Sequence, residues 1–283
     1  MRVAIQGEPG SFSHEAALRV APEATIFPCA VSQEVFAAVD DGRVDGAVIP
    51  IENSLAGSVV EHYDLLLAHD VAIESESLLQ IRHNLIAMPG VGIEEIERVY
   101  SHPVALAQCR RFLAANPRMR ATPFYDTAGS VKELMDRRDA KGAGIASAEA
   151  ARCYRGEILA ADIEDNPENY TRFFLLRKRD RVKTDAHPDK VSVAFAVENR
   201  PGTLVKALEV FASQGTNLTR IESRPVPGRP WQYVFYADYQ LSSPETADAA
   251  LKLLAEHCSL VKELGRYRAA ISGNGRSGRG SSP

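Results

Sequence analysis

Apolar residues recur through the first 177 positions in short runs separated by stretches of helix length. The runs at 2–6, 44–49, 71–75, 97–100, 120–125, 143–146 and 172–177 predict strands. Helical spacing of apolar positions predicts helices over 12–20, 32–41, 58–68, 103–115, 129–138 and 147–154. Strands alternating with helices imply βα units and largely parallel sheet. Residues 178–190 (KRDRVKTDAHPDK) are charged, lack a period and contain Pro188, so they read as a linker. The pattern then changes. A strand over 191–197 leads to a helix over 201–213 with Pro201 at its start, and a strand over 216–224 runs into a Pro/Gly turn, Pro225 to Pro230. A strand over 231–239, a helix over 244–257 and a strand over 259–268 complete a βαββαβ order, the ferredoxin-like α+β sandwich, within 191–270. The tail, 271–283, is rich in Gly and Ser and is expected to be disordered.

A chain of 283 residues is long for one core and fits two domains. Its 33 basic and 37 acidic residues give a net charge of −4, too mild a balance for a nucleic-acid footprint. Cys29, Cys109, Cys153 and Cys258 lie far apart with no metal-ligand or CxxC spacing, which favours a reduced, cytoplasmic protein without a metal centre. Val3-Ala4-Ile5 enters a strand with no signal-peptide apolar region before it. No apolar run approaches the ~20 residues of a membrane span.

Small polar residues cluster where helices are expected to begin. Gly7 to Ser13 precedes the first; Glu52, Asn53, Ser54 and Gly57 precede the helix from Ser58, with Ser58 and Glu61 at capping-box spacing. Ser101 and His102 stand before Pro103; Thr127, Gly129 and Ser130 open the next helix, with Ser130 and Glu133 again at capping-box spacing; Ser147 opens the last. Each alone is an ordinary cap. Together, beyond the carboxyl ends of parallel strands, they suit a multiply charged anion. GxGxxG and GxxxxGK[ST] are absent, which argues against a nucleotide phosphate. His102 is either a general acid or base or a cap residue; His14, His62 and His69 read as surface or satisfied, and Glu94, Glu95 and Glu97 as a solvated face. A Ser-His-Asp triad has no GxSxG to support it. The run Asn169-Tyr170-Thr171-Arg172-Phe173-Phe174 sets a hydroxyl beside a guanidinium that suits bidentate carboxylate binding. On a strand these two neighbours point to opposite faces, so both can line one site only if the backbone is irregular there. A surface salt bridge for Arg172 and an ordinary strand position for Thr171 remain the plain alternatives.

The segments GEPGSFSHEAA (7–17), IPIENSLAGSV (49–59), SHP (101–103), DTAGSV (126–131), GIASAEAA (144–151), NYTRFFLL (169–176), RPGTLVKAL (200–208) and ESRP (222–225) together resemble the prephenate dehydratase family, in its form with a C-terminal ACT regulatory domain. The resemblance covers almost the whole chain. It implies a bilobal catalytic domain like a periplasmic binding protein, 1–177, with lobes of about 1–77 plus 159–177 and 78–158 and a cleft between them. No chorismate mutase region is expected before Val3. The implied reaction turns prephenate into phenylpyruvate, CO2 and water without metal or organic cofactor. Thr171 is then a hydrogen-bond donor or relay to the leaving hydroxide, Arg172 grips the pyruvyl carboxylate, and Phe173 belongs to the same motif. The polar residues at helix starts, Ser101 and Ser147 included, become substrate-binding.

The resemblance also implies L-phenylalanine as effector, at Gly202, Thr203, Leu204 and Val205 with Glu222, Ser223, Arg224 and Pro225, and self-association to a dimer or tetramer. The family's regulatory helix usually reads Gly-Ala-Leu-Val; Thr203 replaces the alanine here, which leaves effector identity open. Two other readings stay in play. One is arogenate dehydratase, the same elimination on the aminated substrate; the other is a non-catalytic amino-acid sensor. An ACT-linked transcription regulator would need a basic DNA-binding element that the sequence lacks.

Overall fold

Among the described residues, three sheets carry the fold. The computed structural model describes residues 1–270 apart from Thr184, Pro227, Pro230 and Ser242; the expected tail at 271–283 and two of the three prolines of the Pro/Gly turn lie outside the described residues. The chain begins β1 (Arg2–Gln6), α1 (Phe12–Val20), β2 (Thr25–Cys29), α2 (Ser32–Asp40), β3 (Gly46–Asn53), β4 (Gly57–Ser58), α3 (Val60–Ala68) and β5 (Val71–Gln80). It crosses into a second lobe: β6 (Asn84–Ala87), β7 (Arg98–Ser101), α4 (Pro103–Gln108), α5 (Arg110–Ala115), β8 (Arg120–Pro123), α6 (Thr127–Arg137), β9 (Gly142–Ala146), α7 (Ala148–Tyr154) and β10 (Glu157–Ala160). It then returns as β11 (Tyr170–Lys178), which slots antiparallel between β3 and β5. The first sheet has the order β2-β1-β3-β11-β5 with β4 on β3, and the second β10-β6-β9-β7-β8. Two α/β lobes joined by two crossings are the bilobal architecture that the resemblance implied. β5 runs on to Gln80, past the lobe limit expected near 77.

β12 (Lys190–Ala196), α8 (Thr203–Ser213), β13 (Leu218–Pro225), β14 (Tyr233–Gln240), α9 (Pro244–His257) and β15 (Leu260–Tyr267) form a four-stranded antiparallel sheet of order β13-β14-β12-β15. This is the expected βαββαβ order. The chain between β11 and β12, read as linker, includes a 3-10 turn at Arg179–Arg181.

Several local expectations fail for identifiable reasons. β2 was not foreseen, because Pro28 interrupts its apolar run; proline is tolerated there because β2 is an edge strand. β6 and β10 are only four residues each. The helix expected over 103–115 breaks at Cys109, and the second piece starts where the Asp165 carboxylate accepts from the N–H groups of Arg110 and Arg111, at 3.2 and 2.9 Å. Neither expected capping box forms. Ser58 lies in β4 and its hydroxyl is taken by the C-terminal domain, while α3 starts after Val59. α6 starts at Thr127 with Asp126 as its cap, so Ser130 falls inside the first turn and donates to the Thr127 carbonyl at 2.7 Å.

Strict alternation along β11 decides how the domains meet. Phe173 and Leu175 pack with Val3, Ile5, Ala16 and Val48 under α1. Phe174 and Leu176 point the other way, into a core that contains Ile49, Ile73 and Leu66 and also Ala194, Tyr236, Leu264 and Tyr267 of the C-terminal sheet. One hydrophobic cluster thus runs across the domain boundary. β15 passes β5 closely at Gly265, where a Cβ would overlap the Ile73 carbonyl oxygen and lie 2.7 Å from the Ile73 Cβ. Gly265→Ala is expected to destabilise the protein by about 1–3 kcal/mol, the scale of overpacking a tight contact, seen as a lower thermal midpoint. An unchanged midpoint would show that the seam has slack.

Candidate active site

A cavity of about 720 Å³ opens between the lobes. The first lobe contributes Gly7, Ser11, Phe12, Pro50, Asn53, Ile81, Thr171 and Phe173; the second contributes His83, His102, Gln108, Asp126 and Thr127. The floor is a pair of side chains on neighbouring strands. Asn53 Nδ2 donates to Thr171 Oγ1 at 2.9 Å and to Asn169 Oδ1 at 2.7 Å. Its Oδ1 accepts from the backbone N–H groups of Leu55 and Ala56, at 3.0 and 2.8 Å, and this fixes which way the amide faces. Thr171 Oγ1 is therefore an acceptor toward Asn53, and among the described residues no group takes its own proton. That proton is free for a bound molecule. Asn169 Nδ2 donates to Gln108 Oε1 at 3.1 Å, and His83 Nε2 meets the same oxygen at 2.9 Å. The polar chain from His83 to Thr171 thus spans both lobes.

A β-bulge brings the pair together. Thr171 and Arg172 pair with Asn53 and Glu52, but Phe173 pairs with Pro50, so Ile51 is the extra residue in β3. Ile49 and Ile51 face the domain seam. Without the bulge Asn53 would face it too; the bulge turns Asn53 into the cavity and Glu52 to the seam.

Arg172 does not face the cavity. Its guanidinium lies on the opposite side of β11 from Thr171, 2.6 Å from Asp238, 3.4 Å from Glu76 and 3.3 Å from Glu52, and stacked on Phe174. Burial works against its charge, but the adjoining Asp238 more than offsets this and the guanidinium stays protonated. The expected carboxylate clamp is thus replaced by a buried ion pair. The irregularity needed at this point exists, but in the neighbouring strand, and it delivers Asn53 rather than Arg172.

The other expected residues divide. Asn53, His102, Thr127 and Phe173 line the cavity with Thr171. His102 also caps α4, its Nδ1 accepting from Val104 N–H at 3.3 Å, which satisfies the cap reading. Ser101 donates to the Ile145 carbonyl at 2.6 Å, Ser147 caps α7 and donates to the Gly10 carbonyl at 2.6 Å, and Gly129 N–H is held by Asp126 at 2.6 Å. These three, with Ser130, brace the walls. Ser54 exchanges hydrogen bonds with Tyr170 N–H and the Glu168 carbonyl, Glu52 is at the seam, and Gly57 is exposed in β4. Gln108, His83 and Asp126 were not anticipated. Only the DTAGSV segment includes Asp126; Gln108 falls inside the helix expected over 103–115, where no motif marks it. Burial raises the Asp126 carboxyl above its ordinary range. At the rim Glu8 reaches across the lobes to Lys132 at 3.0 Å and Tyr125 at 3.2 Å.

In the C-terminal domain the expected effector residues face two ways. Gly202 holds φ +84 with open space around it, and Val205 is exposed, while Leu204 packs into the domain core. Thr203 spends its hydroxyl on the carbonyls of Glu198 and Arg200, at 2.6 and 2.8 Å. Glu222 and Arg224 turn to the first lobe, meeting Ser58 and Asp64, both at 2.8 Å; Ser223 and Pro225 are exposed.

The sequence profile of the prephenate dehydratase family matches residues 3–181. The chain belongs to that family. The arogenate dehydratase/prephenate dehydratase 2 of Arabidopsis thaliana, a chloroplastic protein, is 41% identical over 277 residues, covering 94% of this chain and 72% of that one. Among solved structures, the prephenate dehydratase of Arthrobacter aurescens in complex with L-Phe superposes with a TM-score of 0.86 at 32% identity, over 95% of this chain and 90% of that chain. GqqA, described as a novel type of quorum quenching acylase, superposes at 0.87 with 32% identity, over 95% and 98% of the two chains. Prephenate dehydratases are lyases, and the Thr171–Asn53 pair lies on two of the motifs, NYTRFFLL and IPIENSLAGSV, by which this chain resembles them.

Three buried histidines stand around this site. His62 bridges the Pro50 carbonyl and Ser32, His14 accepts from Gly10 N–H, and His83 meets Gln108; burial holds all three below the ordinary histidine value. The unfolded chain therefore takes up protons first as pH falls through about 6.5, and their contribution to stability is present above that value and lost below it. The thermal midpoint should be level above about pH 7 and fall toward about pH 5. His62→Gln should flatten the fall, and an equally steep fall in that variant would remove His62 from the account.

Proposed function

We propose that the cleft performs the decarboxylative dehydration of prephenate to phenylpyruvate. The free proton of Thr171 over the cavity, set by Asn53, is the observation that carries this reading. In the reaction the bond from the ring to its carboxylate breaks and CO2 leaves. The electron pair enters the ring, the C4–O bond breaks, and the departing hydroxide takes up a proton to become water. Aromatisation drives the step, so the protein needs mainly to orient the substrate and assist the leaving group. Thr171 is too weak an acid to surrender its proton outright. As a donor polarised by the Asn53 amide it stabilises the hydroxide as charge builds on it.

Among the described residues lining the cavity none is Lys or Arg. Substrate carboxylates then rely on the amino end of α1, on His102 and on the Gln108 amide. This suits the chemistry. A carboxylate about to become neutral CO2 is not held back by a fixed cation, and Phe12, Ile81 and Phe173 strip water from it. One observation favours a second substrate: Glu8 and Asp126 present carboxyl groups at the cavity, and the α-ammonium of arogenate would find a partner there. Turnover of prephenate against arogenate separates the two by their ratio of kcat/KM.

The C-terminal domain is read as an ACT domain through which L-phenylalanine inhibits. The Arthrobacter aurescens relative was solved with L-Phe, and the open turn at Gly202 with exposed Val205, Ile221 and Ser223 offers room for an amino acid between two copies of the domain. The edge strand β13 suits self-association to a dimer or tetramer. A cytoplasmic setting fits the free cysteines.

Thr171→Val, which keeps shape and removes the donor, should lower kcat by about 100-fold or more, and Thr171→Ser should retain much of it. Wild-type kcat in the valine variant would defeat the proposal. Added L-phenylalanine should inhibit the wild type and leave Val205→Glu little affected. A wild type indifferent to every aromatic amino acid would remove the effector reading.

A further inference from the structure

The geometry points to Asp238 and Arg220, both in the C-terminal domain, as positioning residues for the Asn53–Thr171 pair, acting through Glu52 and Arg172. This rests on the reading of Thr171 as the hydroxyl that faces the substrate.

Each member of the pair has a neighbour on the opposite face of the first sheet. Beside Thr171 is Arg172, and beside Asn53 is Glu52; these two are themselves register partners, 3.3 Å apart. Both are gripped from the C-terminal domain. Asp238 of β14 holds Arg172 at 2.6 Å, and Asp238 is in turn fixed by the Ser192 hydroxyl at 2.5 Å. Arg220 of β13 holds Glu52 at 3.2 Å and lies 4.6 Å over the Tyr63 ring. Arg220 also donates to Ser58, which donates to Glu222, so the β3–β4 hairpin that carries Asn53 is tied to β13 at a second point. The side chains of Arg172, Asp238 and Arg220 are almost wholly withdrawn from solvent, which makes the Arg172–Asp238 contact dry and directional, while Glu52 keeps partial access to water. In a strand, moving residue i carries residue i−1 with it. A shift of Arg172 or Glu52 therefore moves Thr171 or Asn53 relative to the cavity. Displacements of about 1 Å cost as much as 100-fold in rate when a donor must meet a reacting atom. The same contacts give β13 and β14 a direct path to the chemistry, with Glu222, an expected effector-region residue, one hydrogen bond from the hairpin.

The seam contains a control. Lys262 of β15 donates to the carbonyls of Leu66, Leu67 and His69 at the end of α3, each within 2.9 Å. It ties the same two domains together and touches neither β11 nor the β3–β4 hairpin. In the full-length protein, kcat and KM for prephenate should be measured for Asp238→Asn, Arg220→Met, Arg220→Lys, Lys262→Met and Thr171→Val, with folded fraction from circular dichroism. Asp238→Asn and Arg220→Met are expected to lose about 10- to 100-fold in kcat with KM within about twofold, since no cavity-lining group changes. Arg220→Lys should recover part of the loss. Lys262→Met should lower the thermal midpoint and keep kcat per folded molecule. Should Asp238→Asn fail to fold, Ser192→Ala, which removes one hydrogen bond from Asp238 and one from the buried Tyr267 hydroxyl, is expected to show the same kcat loss on a smaller scale. Wild-type kcat in Asp238→Asn or, if that variant fails to fold, in Ser192→Ala would overturn the inference, as would an equal kcat loss in Lys262→Met. If Thr171→Val keeps its kcat, the functional reading fails first; if Thr171→Val is inactive while Asp238→Asn is unimpaired, only the positioning inference fails.

Discussion

β11 is buried on both faces, and period-two alternation forces it to serve two masters. Thr171 and Phe173 must look into the cleft, and Arg172 and Phe174 must look into the C-terminal domain. Most of the architecture follows from that constraint. The strand's position between β3 and β5 sets which hairpin can reach Thr171. Its far face sets where the C-terminal sheet docks. Its guanidinium obliges the neighbouring domain to supply carboxylates, because a lone buried charge would be untenable.

The charge cluster so formed contains Arg172, Arg220 and Lys190 against Glu52, Glu76 and Asp238. Such buried pairs add little net stability, because desolvation consumes most of the attraction. Their effect is on geometry. A hydrophobic seam alone could slide by fractions of a side chain, whereas several short charged contacts allow one docking. Lys190 at the start of β12 meets both oxygens of Glu76, 3.0 and 2.9 Å away, and so fixes the entry of the C-terminal sheet as well.

The sequence made the elements legible where their period was clean and their ends were marked by Gly, Pro or polar residues. The βαββαβ order and the opposite facing of Thr171 and Arg172 both followed from spacing. The bulge did not, since Ile51 looks like any apolar strand residue and only the register with β11 exposes it as extra. Asp238 lies 66 positions from Arg172, so no local pattern could pair them. Ser58 misled in a more instructive way: its spacing to Glu61 suits a cap, but the hydroxyl is drawn instead to Arg220 and Glu222. Local preference of about 1 kcal/mol gave way to a charged partner that the fold brought close.

The late position of β11 in the chain bears on how the protein is made. During synthesis β3 and β5 emerge well before residue 170, with their facing edges unpaired and the whole second lobe still to come. The nascent first lobe is thus an open template of apolar strands until β11 inserts between them and closes the sheet. Ribosome-bound chains ending short of Lys178 would carry this unfilled slot, and their survival in a cell would depend on chaperones that keep strand edges from meeting the wrong partner.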